Sequence, residues 1–276
     1  MPAQTIVQSL AYVNWTVLVS LALGSFGVAA CTRLFSDVTR GYVGTTAFLA
    51  ALLGLLALVS DLSLPTPTGL AIVEAPGLDA PRRVALGGFM VLAFVYVVVV
   101  ARGGRSPLVA GAALAAGVVA AVLAAVGWGG GLLTGIPLAV QLLVLAAATG
   151  GAFGALILGH WYLVTPRLSE RPLVLVTRLL TGVVGLQLAL FVAWLVTGSG
   201  SESPPLAALF GESALFVWLR LIVGIVFPLA LSVMALQTAR TRSMESATGL
   251  LYINLAAVAS GTIVAAGLFF SAGLLV

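Results

Sequence analysis

The sequence predicts an all-α integral membrane protein that crosses the bilayer about eight times, as two parallel four-helix repeats with both termini on the outer face. Composition, the length of the apolar runs and the placement of charge carry that prediction. Of 276 residues, 61% are hydrophobic and only 7% charged, against about 25% charged in an ordinary soluble domain. A soluble fold has too little polar surface to cover so much apolar surface. Inside lipid the backbone must satisfy its own hydrogen bonds, so the candidates are a helix bundle or a closed barrel. The runs here are continuous rather than alternating, which excludes barrel strands.

A run of about 20 apolar residues spans the hydrocarbon. Such runs occupy approximately 12–33, 42–60, 84–101, 108–127, 136–163, 173–197, 214–238 and 246–273. The first contains Val28-Ala29-Ala30-Cys31, which resembles a lipobox, but no Lys or Arg precedes Arg33. The positive n-region of a signal is therefore missing, and this helix is read as retained. The second and third are separated by a Pro-rich connection at 61–82, the fourth and fifth by a Gly-rich one at 128–135, and the sixth and seventh by a Ser/Pro-rich one at 198–213. The fifth carries Gly150 and Gly154 in a GxxxG pair extended by Gly151, Ala155 and Gly159, a small-residue face suited to packing within the chain. Pro228 predicts a kink in the seventh.

Charge placement orients the spans. Arg33, Arg40, Arg102, Arg105, Arg167, Arg171, Arg240 and Arg242 fall on alternate connections, with only Asp37, Glu170 and Glu245 as acids beside them. By the positive-inside rule these connections are cytoplasmic. The opposite face carries Asp61, Glu74, Asp79, Glu202 and Glu212 against Arg82 and Arg83.

The two halves, 1–131 and 132–276, can be superimposed. Gly24-Ser25-Phe26-Gly27 matches Gly151-Ala152-Phe153-Gly154, and the same offset brings Arg40 onto Arg167; with small insertions Arg83 meets Arg220 and Arg105 meets Arg242. Four crossings restore the starting side, so the repeats are parallel.

All twelve basic residues are Arg, which fits a GC-rich prokaryotic genome and a prokaryotic inner membrane. One cysteine excludes an intramolecular disulfide, a CxxC pair and a cysteine-held iron–sulfur cluster. His160 is the only histidine, which excludes bis-histidine haem. No Walker motif, HExxH, serine-nucleophile motif or carboxylate at a helix centre is present, so neither an autonomous hydrolase nor a proton-driven pump is expected.

Intramembrane ionisable residues are expensive and mark candidate sites. They are Arg178 and Arg220, which either snorkel to the interface or hold an anionic group. Gly159-His160-Trp161-Tyr162 is the densest polar–aromatic cluster, at a depth comparable to Arg178. His160 and Tyr162 could hydrogen-bond a quinone carbonyl, and His160 is the one residue able to ligate a haem. Trp161 and Tyr162 also fit the role of interface anchors.

The leading expectation is a non-catalytic membrane subunit of a larger redox-linked, respiratory assembly. It would interact with quinone or one haem near His160, Trp161, Tyr162 and Arg178, with other membrane or peripheral subunits as partners and no nucleic acid. Eight helices in two four-helix bundles is also the arrangement of NrfD-type membrane subunits of quinone-linked oxidoreductases, though no motif of that family is present. Two alternatives stand beside it. One is a small-solute or anion transporter with a pathway between the repeats, selected by Arg178 and Arg220. The other is a ligand-free scaffold or assembly factor.

Overall fold

The computed structural model describes residues 3–165, 167–198 and 206–276. Eight helices are long and apolar enough to cross a membrane among these residues. They are α1 (Ala3–Phe35), α2 (Arg40–Leu62), α3 (Asp79–Ala101), α4 (Pro107–Trp128), α5 (Ile136–Val164), α6 (Arg171–Thr197), α7 (Ala214–Arg240) and α8 (Met244–Ala272). No β-strand occurs among them; the one isolated bridge joins Val73 and Gly129.

Local chemistry sets several ends. Thr39 caps α2 by accepting from the Tyr42 N–H, and Ser106 caps α4 by accepting from the Val109 N–H. Pro107 follows Ser106 at the first helical position, where its missing N–H costs nothing. Helices α6 and α8 stop at Gly198 and Gly273, both left-handed with φ near +67° and +69°.

Large aromatic side chains such as Trp15, Phe26 and Phe89 fill the interior, and small residues line the inward face of α4. The buried face of α4 is Ala110, Ala113, Gly117, Ala120, Ala121, Ala124 and Ala125, while Val84, Val91, Val95 and Val98 of α3 point outward. Lipid is as apolar as the core, so close backbone approach by small residues supplies the packing.

Helices α1 to α4 pack in a ring, α1 touching α2 and α4, and α5 to α8 form a second ring, α5 touching α6 and α8. The rings meet chiefly along α1 and α5, with α1 also against α8 and α4 against α5. Where α1 crosses α5, Gly24 and Gly150 are in backbone contact. A Cβ built on Gly24 would lie 2.8 Å from the Gly150 Cα, and one on Gly150 would lie 2.6 Å from the Ser25 nitrogen. The GxxxG face of α5 is thus spent within the chain, and its Gly154 receives Val28 of α1. Helices α7 and α8 cross in the same way at Gly224 and Gly261.

Two expectations change here. The connection predicted over 61–82 is shorter: α2 runs through Asp61 and α3 starts at Asp79, so Arg82 and Arg83 are helical. The loop between them is tied across the end of the bundle, Ala71 N–H bonding to the Phe270 carbonyl, Val73 to Trp128 and Ala75 to Gly127. Second, α7 contains a π-turn over Ile222–Val226 immediately before Pro228. Proline offers no N–H to the Gly224 carbonyl four residues earlier, and the wider turn is how the helix passes that gap. Glu202, read from the sequence as an outer-face acid, lies outside the described residues.

Candidate functional site

The cluster expected at the end of α5 is not assembled as one site. Tyr162 is buried and its hydroxyl donates to the Ser169 carbonyl, tying the helix end to the following connection. Trp161 packs on α2: a Cβ on Gly41 would come within 2.6 Å of its ring, and Tyr42 lies edge-on at 6.4 Å. Trp161 thereby packs one ring against the other. His160 is exposed and makes no hydrogen bond among the described residues. Arg178 is also exposed, on the outward face of α6.

Arg220 behaves differently. It is 2% exposed, so it does not snorkel, and it does not reach Glu212, which is exposed. Its Nη1 donates to the Gly224 carbonyl at 3.2 Å and its Nε to the Val276 main-chain oxygen at 3.4 Å. The Gly224 carbonyl is the acceptor that Pro228 leaves without a partner, so Arg220 repairs the helix. It borders a small cavity with Gln141 and Gln187, whose buried amides lack complete hydrogen bonding: Oε1 of Gln141 and both polar atoms of the Gln187 amide are unpartnered.

The strongest polar arrangement lies at the opposite end of α2 from the arginine-rich loops, among residues read from sequence as loop charges. Asp61 is fully buried. It accepts from Arg82 Nε at 2.7 Å and Nη2 at 3.0 Å, from Arg83 Nε at 3.0 Å, and from Trp15 Nε1 at 2.8 Å. Arg82 is itself buried, stacks over the Trp128 ring at 5.0 Å, and places Nη1 2.8 Å from Asp79. Its Nη1 is close enough for an ion pair with Asp79 but not aligned for a hydrogen bond. The two-point pairing of guanidinium and carboxylate fixes α2 against α3, and Trp15 brings in α1. Tyr12 completes the aromatic wall and donates to the Pro65 carbonyl at 2.7 Å. A polar cavity of about 330 Å³ opens above, lined by Tyr12, Glu74, Asp79, Arg82, Arg83 and Trp128 among others. The sequence signal was available: a lone carboxylate at the end of an apolar run, and two consecutive arginines on the same side of the membrane.

A larger cavity of about 450 Å³ lies between the rings, walled by α1, α4, α5 and α6 and almost wholly apolar. Leu23, Gly24, Gly27, Val28 and Cys31 form its α1 wall, and Leu114 and Val118 its α4 wall. On α6 it is lined by Val176, Leu179, Leu180 and Val183. At about 100° per residue Arg178 points roughly 150° away from that face. None of the three cavities described borders His160, Trp161, Tyr162 or Arg178; Arg220 alone among the candidate ligand-binding residues lines one.

Chemically, the arrangement with the most polar contacts is the buried Asp61–Arg82 network, which holds helices together. Asp61 is saturated by cations, His160 has no partner to act with, and no group of three or more His, Cys, Asp or Glu residues is placed to hold a metal among the described residues. No family model matches the chain, and no curated protein or solved structure is detectably similar to it.

Proposed function

We propose that this chain is a non-catalytic, multi-pass subunit of a larger redox-linked membrane assembly, and that it holds the hydrocarbon chain of a lipid-soluble carrier, a quinone, in the cleft between its two rings. The observation that carries this reading is the 450 Å³ apolar cavity walled by α1, α4, α5 and α6. Exposed Val118 and Leu179 stand at its rim, so entry is from the bilayer. Because the chain comes from lipid as apolar as the cleft, binding rests on van der Waals packing along the cleft walls rather than on release from water. A haem on His160 is not part of the reading, because no described cavity borders that residue.

The finer architecture belongs to the same proposal. Two parallel four-helix repeats are supported by the packing: each contact within the first ring has its counterpart within the second, and α1–α8 has its counterpart in α5–α4. The α1–α5 crossing at Gly24 and Gly150 falls within one residue of the register that matches Gly24 to Gly151. The arginine-rich connections support outer termini, and basic residues that are all arginine fit a prokaryotic inner membrane. Transport between the repeats is the weaker alternative, since main chains touch at that crossing and Arg178 faces outward.

Purification from quinone-containing membranes, solvent extraction and mass spectrometry test the proposal. Quinone at near one per chain is expected, lost when Gly27→Phe or Ala147→Phe fills the cleft and retained in His160→Ala. Bilayer phospholipid alone in the extract, or quinone insensitive to the filling variants, would refute it.

A further inference from the structure

The arginine-rich end of the first ring differs from that of the second in a way that general surface charge does not explain. Arg33, in the last turn of α1, is 5% exposed. Its Nη2 reaches only the Gly104 carbonyl, at 3.4 Å, and its buried Nε has no partner. From α2, Arg40 lays its guanidinium against the adjacent Gly103, Nη1 standing 2.8 Å from where a Cβ would be. Gly103 has φ +85°, so the turn itself needs a glycine there. Arg105 follows directly in the same loop, and Arg102 precedes it. Adjacent Cα atoms are about 3.8 Å apart, so arginines from α1, α2 and the α3–α4 loop converge on one turn.

No carboxylate balances them. The ion pairs among the described residues are Arg82 with Asp61 and Asp79, Arg83 with Asp61, and Arg242 with Glu170. Asp37, the nearest acid in sequence, is exposed and joins none of them. At the corresponding end of the second ring, Arg242 has its own acceptors, Glu170 at 3.3 Å and the Leu168 carbonyl at 3.3 Å. The positive-inside rule accounts for arginines that face water. It does not account for one that is buried beside others with an unused donor.

We propose that this turn is a phosphate-binding site, in which Arg33, Arg40 and Arg105 together hold a phosphoryl group. Guanidinium groups bind phosphate oxygens through paired, charge-assisted hydrogen bonds, and basic pockets between membrane helices near the interface take phosphorylated head groups. The phosphate comes either from an anionic phospholipid or from a soluble phosphate. The site lies on the face of α1 roughly 150° from the apolar cleft, at 100° per residue, and so is independent of the quinone proposal.

The test is native mass spectrometry of the full chain in micelles doped with equal phosphatidylglycerol and phosphatidylcholine, with a second arm in phosphatidylcholine alone plus inorganic phosphate, read by ³¹P line broadening. Retention of phosphatidylglycerol over phosphatidylcholine by about tenfold, reduced about tenfold by Arg33→Gln or Arg40→Gln and unchanged by Arg171→Gln, supports a lipid phosphate. Broadening of inorganic phosphate without lipid preference, abolished by the same variants, supports a soluble one. Should Arg33→Gln fail to fold, exposed Arg40→Gln and Arg105→Gln give the same readout. Equal loss in Arg171→Gln reduces the effect to surface charge and overturns the proposal, as does the absence of both preferences.

Discussion

Replacing Asp61 by Asn removes the charge on which α1, α2 and α3 converge while keeping the side chain's shape. The carboxylate accepts from Arg82 at 2.7 and 3.0 Å, from Arg83 at 3.0 Å and from Trp15 at 2.8 Å, and no other carboxylate is as deeply buried among the described residues. Breaking one side of a buried pair costs about 3–5 kcal/mol, mostly because the surviving charge stays buried. Arg82 fits that case, with a side chain 2% exposed. Arg83, 36% exposed, can turn to water, so Arg83→Gln should cost no more than about 1 kcal/mol. The double change Asp61→Leu/Arg82→Met removes both buried charges and should recover most of the loss, because a well-packed apolar pair replaces a pair that is costly to desolvate. Equilibrium unfolding in mixed micelles, followed by tryptophan fluorescence, measures these three and Arg82→Gln; Trp15 and Trp128 flank the network and report on it directly. Asp61→Asn within about 0.5 kcal/mol of wild type, or Arg83→Gln as costly as Arg82→Gln, would refute the reasoning.

Three further outcomes follow from the packing. Gly24→Ala and Gly150→Ala should each lower stability by about 1–3 kcal/mol through overpacking, whereas Gly27→Ala and Gly151→Ala, where a new Cβ would meet nothing closer than 3.8 Å, should fall within about 0.5 kcal/mol of wild type by the same unfolding assay. Arg220→Met should cost about 1–3 kcal/mol by orphaning the Gly224 carbonyl. Pro228→Ala restores an N–H to that carbonyl, so it should offset part of this cost in the double variant, and additivity of the two changes would count against the link. Arg178→Lys and Arg178→Gln should leave folding, and any molecule bound in the apolar cleft, unchanged in extraction and unfolding measurements.

Much of the fold was legible in the sequence because hydrocarbon thickness and helical rise leave little freedom. The eight apolar runs coincide with α1 to α8 to within a few residues, except that α1 begins well before its run, at Ala3, and that α3 begins at Asp79, so that Asp79, Arg82 and Arg83 are helical. The second exception concealed the best-formed polar network. Charges at the ends of apolar runs read as solvated loops, and only the tertiary approach of α2 to α3 converts Asp61 and Arg82 into a buried pair. The internal use of Gly150 and Gly154 was readable as packing, while their partners Gly24 and Val28 were not, since a small-residue face does not name the helix that fills it.

The candidate site was less legible for a deeper reason. A residue on a membrane helix has a depth and an azimuth. Depth can be counted from the ends of the run, but azimuth in a soluble helix is read from hydrophobic periodicity, which fades when both neighbours of the helix are apolar. Arg178 and Arg220 show this cleanly. Each is followed four residues later by a glycine, Gly182 and Gly224, and each lies a similar depth inside its run. Yet Arg178 is exposed and a Cβ on Gly182 would meet no other helix within 4 Å, whereas Arg220 is buried and Gly224 meets Gly261 of α8. The deciding residue is on another helix. Arg220 enters the core where its own Gly224 meets Gly261 of the facing helix at the same level, and α7 read alone carries no sign of that second glycine.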